Sequence, residues 1–315
     1  LAQSRGPWLG LAAGLFVMAL CAAALRPGTA AMRRRLAALA FMGIGIAPAA
    51  ALLAFNLAPE GTSLAALRDV RYIGRLGQVL ETEGGTGKVR VLIWQGAIDL
   101  IAADPVRAIV GYGPESMHVA YNPYYPPDLA HYESRNASPD RSHNETLDSL
   151  VTTGVLGFAA YMALFTALFA YALRWLGLID TKRQRNLFLG FWLLGGLAVV
   201  VAFRLWSGGW TFFGVALPAG MIGGLVSYVF ARALSGQEVP DRPARPLVLA
   251  LTAALAAHFV EIHFGIAIAA TRLLFFVLAG TLVAVGGLGT ARPALLANDD
   301  PESERGLVVD DPVRL

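Results

Sequence analysis

Apolar residues in this chain fall into long runs, most of them with few polar interruptions, and polar residues collect in the gaps between the runs. Each run holds roughly 17 to 25 residues, enough for a helix to cross about 30 Å of hydrocarbon. The pattern predicts about seven membrane spans, over 8–25, 36–57, 147–173, 187–205, 210–230, 247–262 and 266–288. Gly, Pro and charge clusters mark the breaks between them. The predicted fold class is therefore all-α, a polytopic membrane helix bundle.

One segment departs from this rhythm. In "VRVLIWQGAIDLIAADP", Val91, Leu92, Trp94, Ile98 and Ile101 are apolar, while Gln95, Asp99 and Asp104 lie elsewhere around the helix. That spacing predicts an amphipathic helix, lying on the membrane surface or packed on the span bundle. The stretch after it, "GYGPESMHVAYNPYYPPDLAHYESRNASPD", is rich in Tyr, Pro and Gly and shows no clear period. It reads as an ordered loop or a mobile lid, and long loops of this kind tend to carry function. The expected organisation is two spans over 1–57, a loop domain over 58–142, a five-span bundle over 143–290, and a charged, disordered tail over 291–315.

Composition agrees with the pattern. Of 315 residues 56% are hydrophobic and 15% charged, whereas soluble domains are about a quarter charged. Mean hydropathy is +0.56. The net charge of +3 does not imply a nucleic-acid partner, because the cations cluster between spans. The lone Cys21 falls inside a span and can form no intrachain disulfide. The first run is followed by arginines and no small-residue cleavage site, so it is not a signal peptide. The chain opens on Leu1, and further spans are expected upstream.

Orientation follows from the basic residues. Arg26, Arg33, Arg34 and Arg35 follow the first run, Arg174, Lys182, Arg183 and Arg185 the third, and Arg232, Arg242 and Arg245 the fifth. If the spans alternate, these loops share one side, which the positive-inside rule makes the cytoplasm. The loop domain then faces outward, as do the short turns near 207–209 and 263–265.

Three residues on that outward side carry candidate chemistry. In "DRSHNETLDSLVTTGVLG", Ser142 and Glu145 match a capping box, which puts Ser142 at the N-cap and His143 at the first helical position. The positive end of the helix dipole would attract an anion and keep His143 neutral, the state a general base requires. The plainer alternative is an interfacial histidine bonded to the loop. Arg5, at the head of the first span, reads first as an interfacial anchor beside Trp8, with a functional role as the alternative. Arg90 opens the amphipathic helix, where a cation opposes the macrodipole, and an anion shared with that helix end would remove the conflict. Two guanidiniums and a neutral imidazole suit the departure of a phosphate leaving group.

Other motifs carry less. "ETEGGTGKVR" lacks the Gly and Ser/Thr that a phosphate-binding loop needs at Thr82 and Val89, so its glycines are read as a turn. His118, His131 and His143 lack metal-ligand spacing, and no metal is expected. Arg204, His258, Glu261, His263 and Arg272 cluster at the outer span ends; pairing of Glu261 with Arg272 or Arg204 is the structural reading, and substrate binding is the functional one. Glu115 and Tyr112 are candidate sugar contacts in the loop.

Taken in order, "QSRGPWLGL", "RVLIWQGAIDLI…DP…GYGPESM" and "RSHNETLDSLVTTGVLGFAAYM" resemble the O-antigen ligase and polymerase superfamily of bacterial membrane glycosyltransferases, over about residues 1–175. In that family the arginine of the S-R-G stretch, the arginine before the I-W pair and the histidine of an H-N-x-x-L motif are functional, which implies Arg5, Arg90 and His143. The resemblance implies a C-type glycosyltransferase architecture. It also implies transfer of a glycan from a polyprenyl diphosphate carrier to the hydroxyl of a glycan or glycolipid acceptor, outside the cytoplasmic membrane. No metal, nucleotide or other cofactor is implied. Ligase and polymerase differ in the acceptor and stay open here. A multi-span transporter or scaffold is the competing class; broken helices near mid-membrane and paired half-repeats would favour a transporter, and the sequence pattern suggests neither.

Overall fold

The computed structural model describes residues 5–25, 31–56, 58–59, 61–70, 85–134, 137–235, 239, 242 and 244–296. Every regular element among them is helical. In chain order these are α1 (Arg5–Ala24), α2 (Ala31–Asn56), α3 (Ser63–Ala66), α4 (Gly85–Ala103), α5 (Pro105–Val110), α6 (Met117–Ala120), α7 (Glu145–Leu176), α8 (Lys182–Ser207), α9 (Phe213–Ser235), α10 (Arg245–Ile262) and α11 (Ala269–Leu296). Six described helices, α1 and α7 to α11, are long and apolar enough to cross a membrane. The second expected span is also helical, as the 26-residue α2. The protein is thus an all-α polytopic bundle. Helix α11 continues through Leu296, into the stretch expected to be disordered, and residues 297–315 lie outside the described set.

The long helices hold together by close approach and by one aromatic core. A Cβ on Gly195 would sit 2.5 Å from Gly220 O, and one on Gly224 would sit 2.0 Å from Phe191 O, so α8 and α9 touch backbone to backbone. Helices α1 and α10 meet in the same way, where Gly10 and Gly14 face the carbonyls of Ala257 and Ala253. Lipid offers no hydrophobic drive for helix association, so small residues that bring helices into contact carry much of the packing. Between these pairs, Phe165, Phe169, Trp192, Phe259 and Phe275 are all buried. Phe165 meets Phe259 edge-on at 4.8 Å, and the Trp192 indole N–H donates to Thr166 Oγ1 at 2.9 Å.

Hydrogen bonds fix how the helices alternate. Arg245 reaches Leu25 O at 3.4 Å, Arg242 reaches Arg174 O at 2.8 Å, and Arg232 reaches Leu178 O at 3.0 Å. One end of the bundle therefore gathers the basic loops. At the opposite end, the start of α7 bonds to the start of α9 and to the turn after α10 (below).

Helix α4 is confirmed, but its buried stripe runs through Leu92, Ile93, Ala97 and Leu100, while Ile98 and Ile101 are only half-buried. Gly85 and Gly87 belong to this helix instead of a turn. Among the described residues of the Tyr-rich segment, Met117, Tyr121 and Leu129 are buried against α4. A Cβ on Gly96 would sit 2.6 Å from the Tyr121 hydroxyl, so a glycine is needed for that ring to come this close to the helix.

Helix α7 is broken, which the sequence pattern did not suggest. Gly154 has φ 64 and ψ −171 inside it, and the carbonyls of Val151 and Thr152, just before the break, accept from the N–H groups of Tyr112 (2.8 Å) and Gly113 (3.0 Å). The part beyond Gly154 is about 33 Å long at ~1.5 Å per residue, enough to cross the hydrocarbon by itself. The break therefore docks the α4–α6 layer onto the first turns of α7. These bonds account for the break by loop docking, without a transporter's half-repeat.

Candidate functional site

The site is built around the approach to α7. Its N-cap is Asn144, whose side-chain oxygen accepts from Leu147 N at 3.1 Å. Ser142 is therefore not the cap, and His143 precedes the helix instead of starting it. Ser142 is held differently: its N–H and hydroxyl both donate to Asp148 Oδ1, each at 2.7 Å. The capping-box pattern failed because the helix starts two residues later than the spacing implies: Asn144 takes the cap, and Ser142, ahead of it, donates to Asp148. The first turn already carries Glu145 and Asp148, so an anion has no vacancy at that helix end.

His143 sits between two fixed neighbours with φ 56, in the left-handed region that few non-glycine residues occupy. Strain of this kind persists where surrounding bonds over-determine it, and it concentrates at functional sites. Here the bonds are those of Ser142 and Asn144. Asn144 Nδ2 donates to Gly214 O and to His263 O, both at 2.9 Å, tying α7 to α9 and to the turn after α10. All three of Ser142, Asn144 and Asp148 are buried.

Helix α4 brings Arg90 to this loop. The Trp94 indole N–H donates to Ser142 O at 2.9 Å. Arg90 lies one helical turn before Trp94, on the same face. Its charge reaches His143: the imidazole pKa is lowered, first by burial and then by Arg90, against the pull of Asp148, Asp140 and Glu133. The imidazole thus favours its neutral form, as expected, but through burial and a guanidinium instead of the helix dipole. Trp94→Phe should cost about 1 kcal/mol, seen as a small drop in melting temperature in detergent.

The side chain of Arg5 lies outside the described residues, but its place in the chain does not. Arg5 is the first residue of α1, and a Cβ on the adjacent Gly6 would sit 3.3 Å from the carbonyls of Glu261 and Phe264. Asn144 bonds His263 O in that same turn. The backbones of Arg5 and His143 therefore adjoin one turn, and Arg90 adjoins His143. The three residues converge at one end of the bundle, opposite the basic loops.

The remaining candidates divide. Arg272 pairs with the buried Glu145 at 3.1 Å instead of with Glu261, while keeping a half-exposed side chain. Glu261 faces His258 at 3.9 Å, and Arg204 lies 5.4 Å over the Trp210 ring. The expected Glu261–Arg272 and Glu261–Arg204 pairs are thus replaced, because α7 places Glu145 closer to Arg272. His263 is sealed inside the bundle with Nδ1 on Phe259 O and Nε2 without a hydrogen-bond partner among the described residues. Tyr112 donates to Leu100 O at 3.2 Å, which braces the loop. Glu115 pairs with Arg141, two residues from His143, at the rim. Among the described residues, no group of three or more His, Cys, Asp or Glu is placed to hold a metal.

Sequence reasoning missed the supporting residues: Asp148, Asn144, Glu145 and Trp94. A signal was present, since two carboxylates within four residues at the mouth of an apolar run are costly unless paired or bonded.

The sequence model of the O-antigen ligase family matches residues 1–162 of this chain, just over half of its 315 residues. The match takes in Arg5, Arg90 and His143, and stops short of Arg204, Glu261, His263 and Arg272. Comparison with curated proteins and with solved structures finds no match.

Proposed function

The chain belongs to the O-antigen ligase family, and from that premise we propose that it transfers a glycan from a polyprenyl diphosphate carrier to an acceptor hydroxyl on the outer face of the cytoplasmic membrane. Family membership by itself assigns a membrane glycan-transfer, ligase-like role, with lipid-linked glycan as substrate. The finer reading rests chiefly on one observation: a half-buried histidine in left-handed backbone, its pKa lowered by burial and then by the adjoining Arg90.

In this reading His143 accepts the proton of the acceptor hydroxyl as that oxygen attacks the anomeric carbon. The carbon–oxygen bond to the diphosphate breaks, and the polyprenyl diphosphate leaves with the electron pair. Arg90 and Arg5 hold the charge that develops on it, and a single displacement inverts the anomeric centre. Arginine suits the role because its planar fork binds phosphate oxygens in pairs. In the same reading Arg272, half-exposed and paired with Glu145, contacts the donor or the acceptor. The step needs neither metal nor nucleotide.

The direct test is release of polyprenyl diphosphate by the purified protein from a donor labelled in the lipid, with acceptor present. Release that depends on acceptor supports transfer; binding without release would leave a transporter or scaffold. The acid limb of kcat/KM should lie below the ordinary histidine value of about 6.5, because the neutral base survives to lower pH when its pKa is depressed. Arg90→Gln removes one depressing charge, so the limb should move upward while burial, the larger cause, still holds it below the ordinary value. It should also lower the plateau rate by about 10²–10³, the range for losing a charge-stabilising donor. A limb that stayed in place or moved down would separate Arg90 from the base.

A further inference from the structure

At the end of the bundle away from His143, a trough of about 880 Å³ opens between α7 and α8. We propose that it is a binding site for an anionic glycerophospholipid, with one acyl chain in the trough and the phosphate on the basic residues at its mouth.

The trough exists because α7 carries alanines where α8 would need larger side chains to meet it. Ala159, Ala163, Ala167 and Ala170 form its floor, and Leu189, Leu193 and Met221 form the facing wall. Helix α8 packs its small residues Gly195 and Gly196 on α9 instead of on α7. The volume falls within the ~300–1,000 Å³ of small-molecule sites. From Ala159 to Arg174 the floor runs about 22 Å at ~1.5 Å per residue. One leaflet supplies about half of the ~30 Å hydrocarbon thickness, so an acyl chain fills most of the floor and leaves the glycerol-phosphate level with the mouth.

The mouth is cationic. Arg174, Lys182 and Arg185 line it, and its one lining carboxylate, Asp180, is bound by Arg242 at 3.3 Å. Thr166, the polar group deeper in, is satisfied by Trp192 Nε1 and Met162 O, so the floor behaves as apolar. Arg185 Nε is shielded from solvent and has no hydrogen-bond partner among the described residues. A buried guanidinium N–H without an acceptor is costly, and a phosphate oxygen in the mouth supplies one. Charge and shape thus select an anionic headgroup joined to a chain, which a zwitterionic lipid or free phosphate provides only in part.

Native mass spectrometry of the whole chain in detergent, with phosphatidylglycerol or phosphatidylcholine of identical acyl chains, tests this. Phosphatidylglycerol should be retained in preference. The K182Q/R185Q double variant should weaken that retention by roughly thirtyfold, the loss of two basic contacts to an anionic lipid. Ala167→Phe, which fills the floor, should expel both lipids; the double variant keeps the test sound if that one fails to fold. Equal retention of the two lipids, undiminished phosphatidylglycerol in the double variant, protection by inorganic phosphate alone, or a lipid-free dimer mass showing a second copy in the trough would each overturn the site. None of these outcomes depends on glycan transfer.

Discussion

His143→Asn should abolish most glycan transfer while leaving the protein as stable as before. Removing a general base costs about 10²–10⁴ in rate, and asparagine supplies no group that accepts a proton at neutral pH. Asparagine is among the residues that tolerate left-handed backbone, so the φ of 56 at this position need not change. The Ser142 and Asn144 bonds that frame it should then persist. His143→Ala is a less clean probe, because alanine keeps the left-handed strain of about 1–2 kcal/mol and also loses the packing of the half-buried ring, which would mix stability with chemistry. His143→Gly removes both the base and the strain, and should match asparagine in rate while equalling or exceeding the parent in melting temperature. Turnover of labelled donor, measured beside melting in detergent, separates these outcomes. Full activity in His143→Asn would remove the histidine as proton acceptor, whatever its neighbours.

The bundle was legible because its signal is crude and redundant. A helix that crosses lipid needs a long apolar run, and each predicted run overlaps its helix, although α11 continues to Leu296, past the predicted end at 288. The convergence of Arg5, Arg90 and His143 followed only in outline, since it relied on loop placement and not on spacing. What failed was short-range competition. Ser142 and Glu145 stand at capping-box spacing, yet Asp148 takes the serine and Asn144 takes the cap. A motif fixes which groups can bond, and the fold decides which bond forms. Pairing at the span ends failed for the same reason: Arg272 found Glu145, which the capping-box spacing assigns to the helix end and not to a cation. The break in α7 was missed because glycine is common in membrane helices, and "TTGVLG" reads like packing until a loop is seen to claim the carbonyls before it.

That break carries the second large expectation. Gly154→Ala should detach the α4–α6 layer from the bundle and take Arg90 away from His143. Two independent costs meet at this glycine. Its φ of 64 and ψ of −171 fall in a region almost exclusive to glycine, at about 1–3 kcal/mol for another residue. A Cβ there would lie 2.3 Å from Ile109 O and 2.6 Å from Gly111 N, and these are backbone atoms of α5 and its cap that cannot rotate aside; overpacking adds about 1–3 kcal/mol. The contact is reciprocal, since a Cβ on Gly111 would lie 2.3 Å from Thr152 O. Relief therefore requires losing the bonds from Tyr112 N and Gly113 N to Val151 O and Thr152 O. The long helices have their own core and should still insert, so the variant should accumulate in the membrane with a lowered melting temperature. Its loop should be more readily cut by protease, and its turnover close to that of an Arg90 variant. Gly190→Ala is the matched control: it lies within α8 with nothing within 4 Å of its Cβ position, and alanine favours a helix by about 1 kcal/mol, so it should be neutral or stabilising. A Gly154→Ala protein that melted and turned over like Gly190→Ala would mean that α7 runs straight in the membrane, and that Arg90 reaches the histidine by some other support.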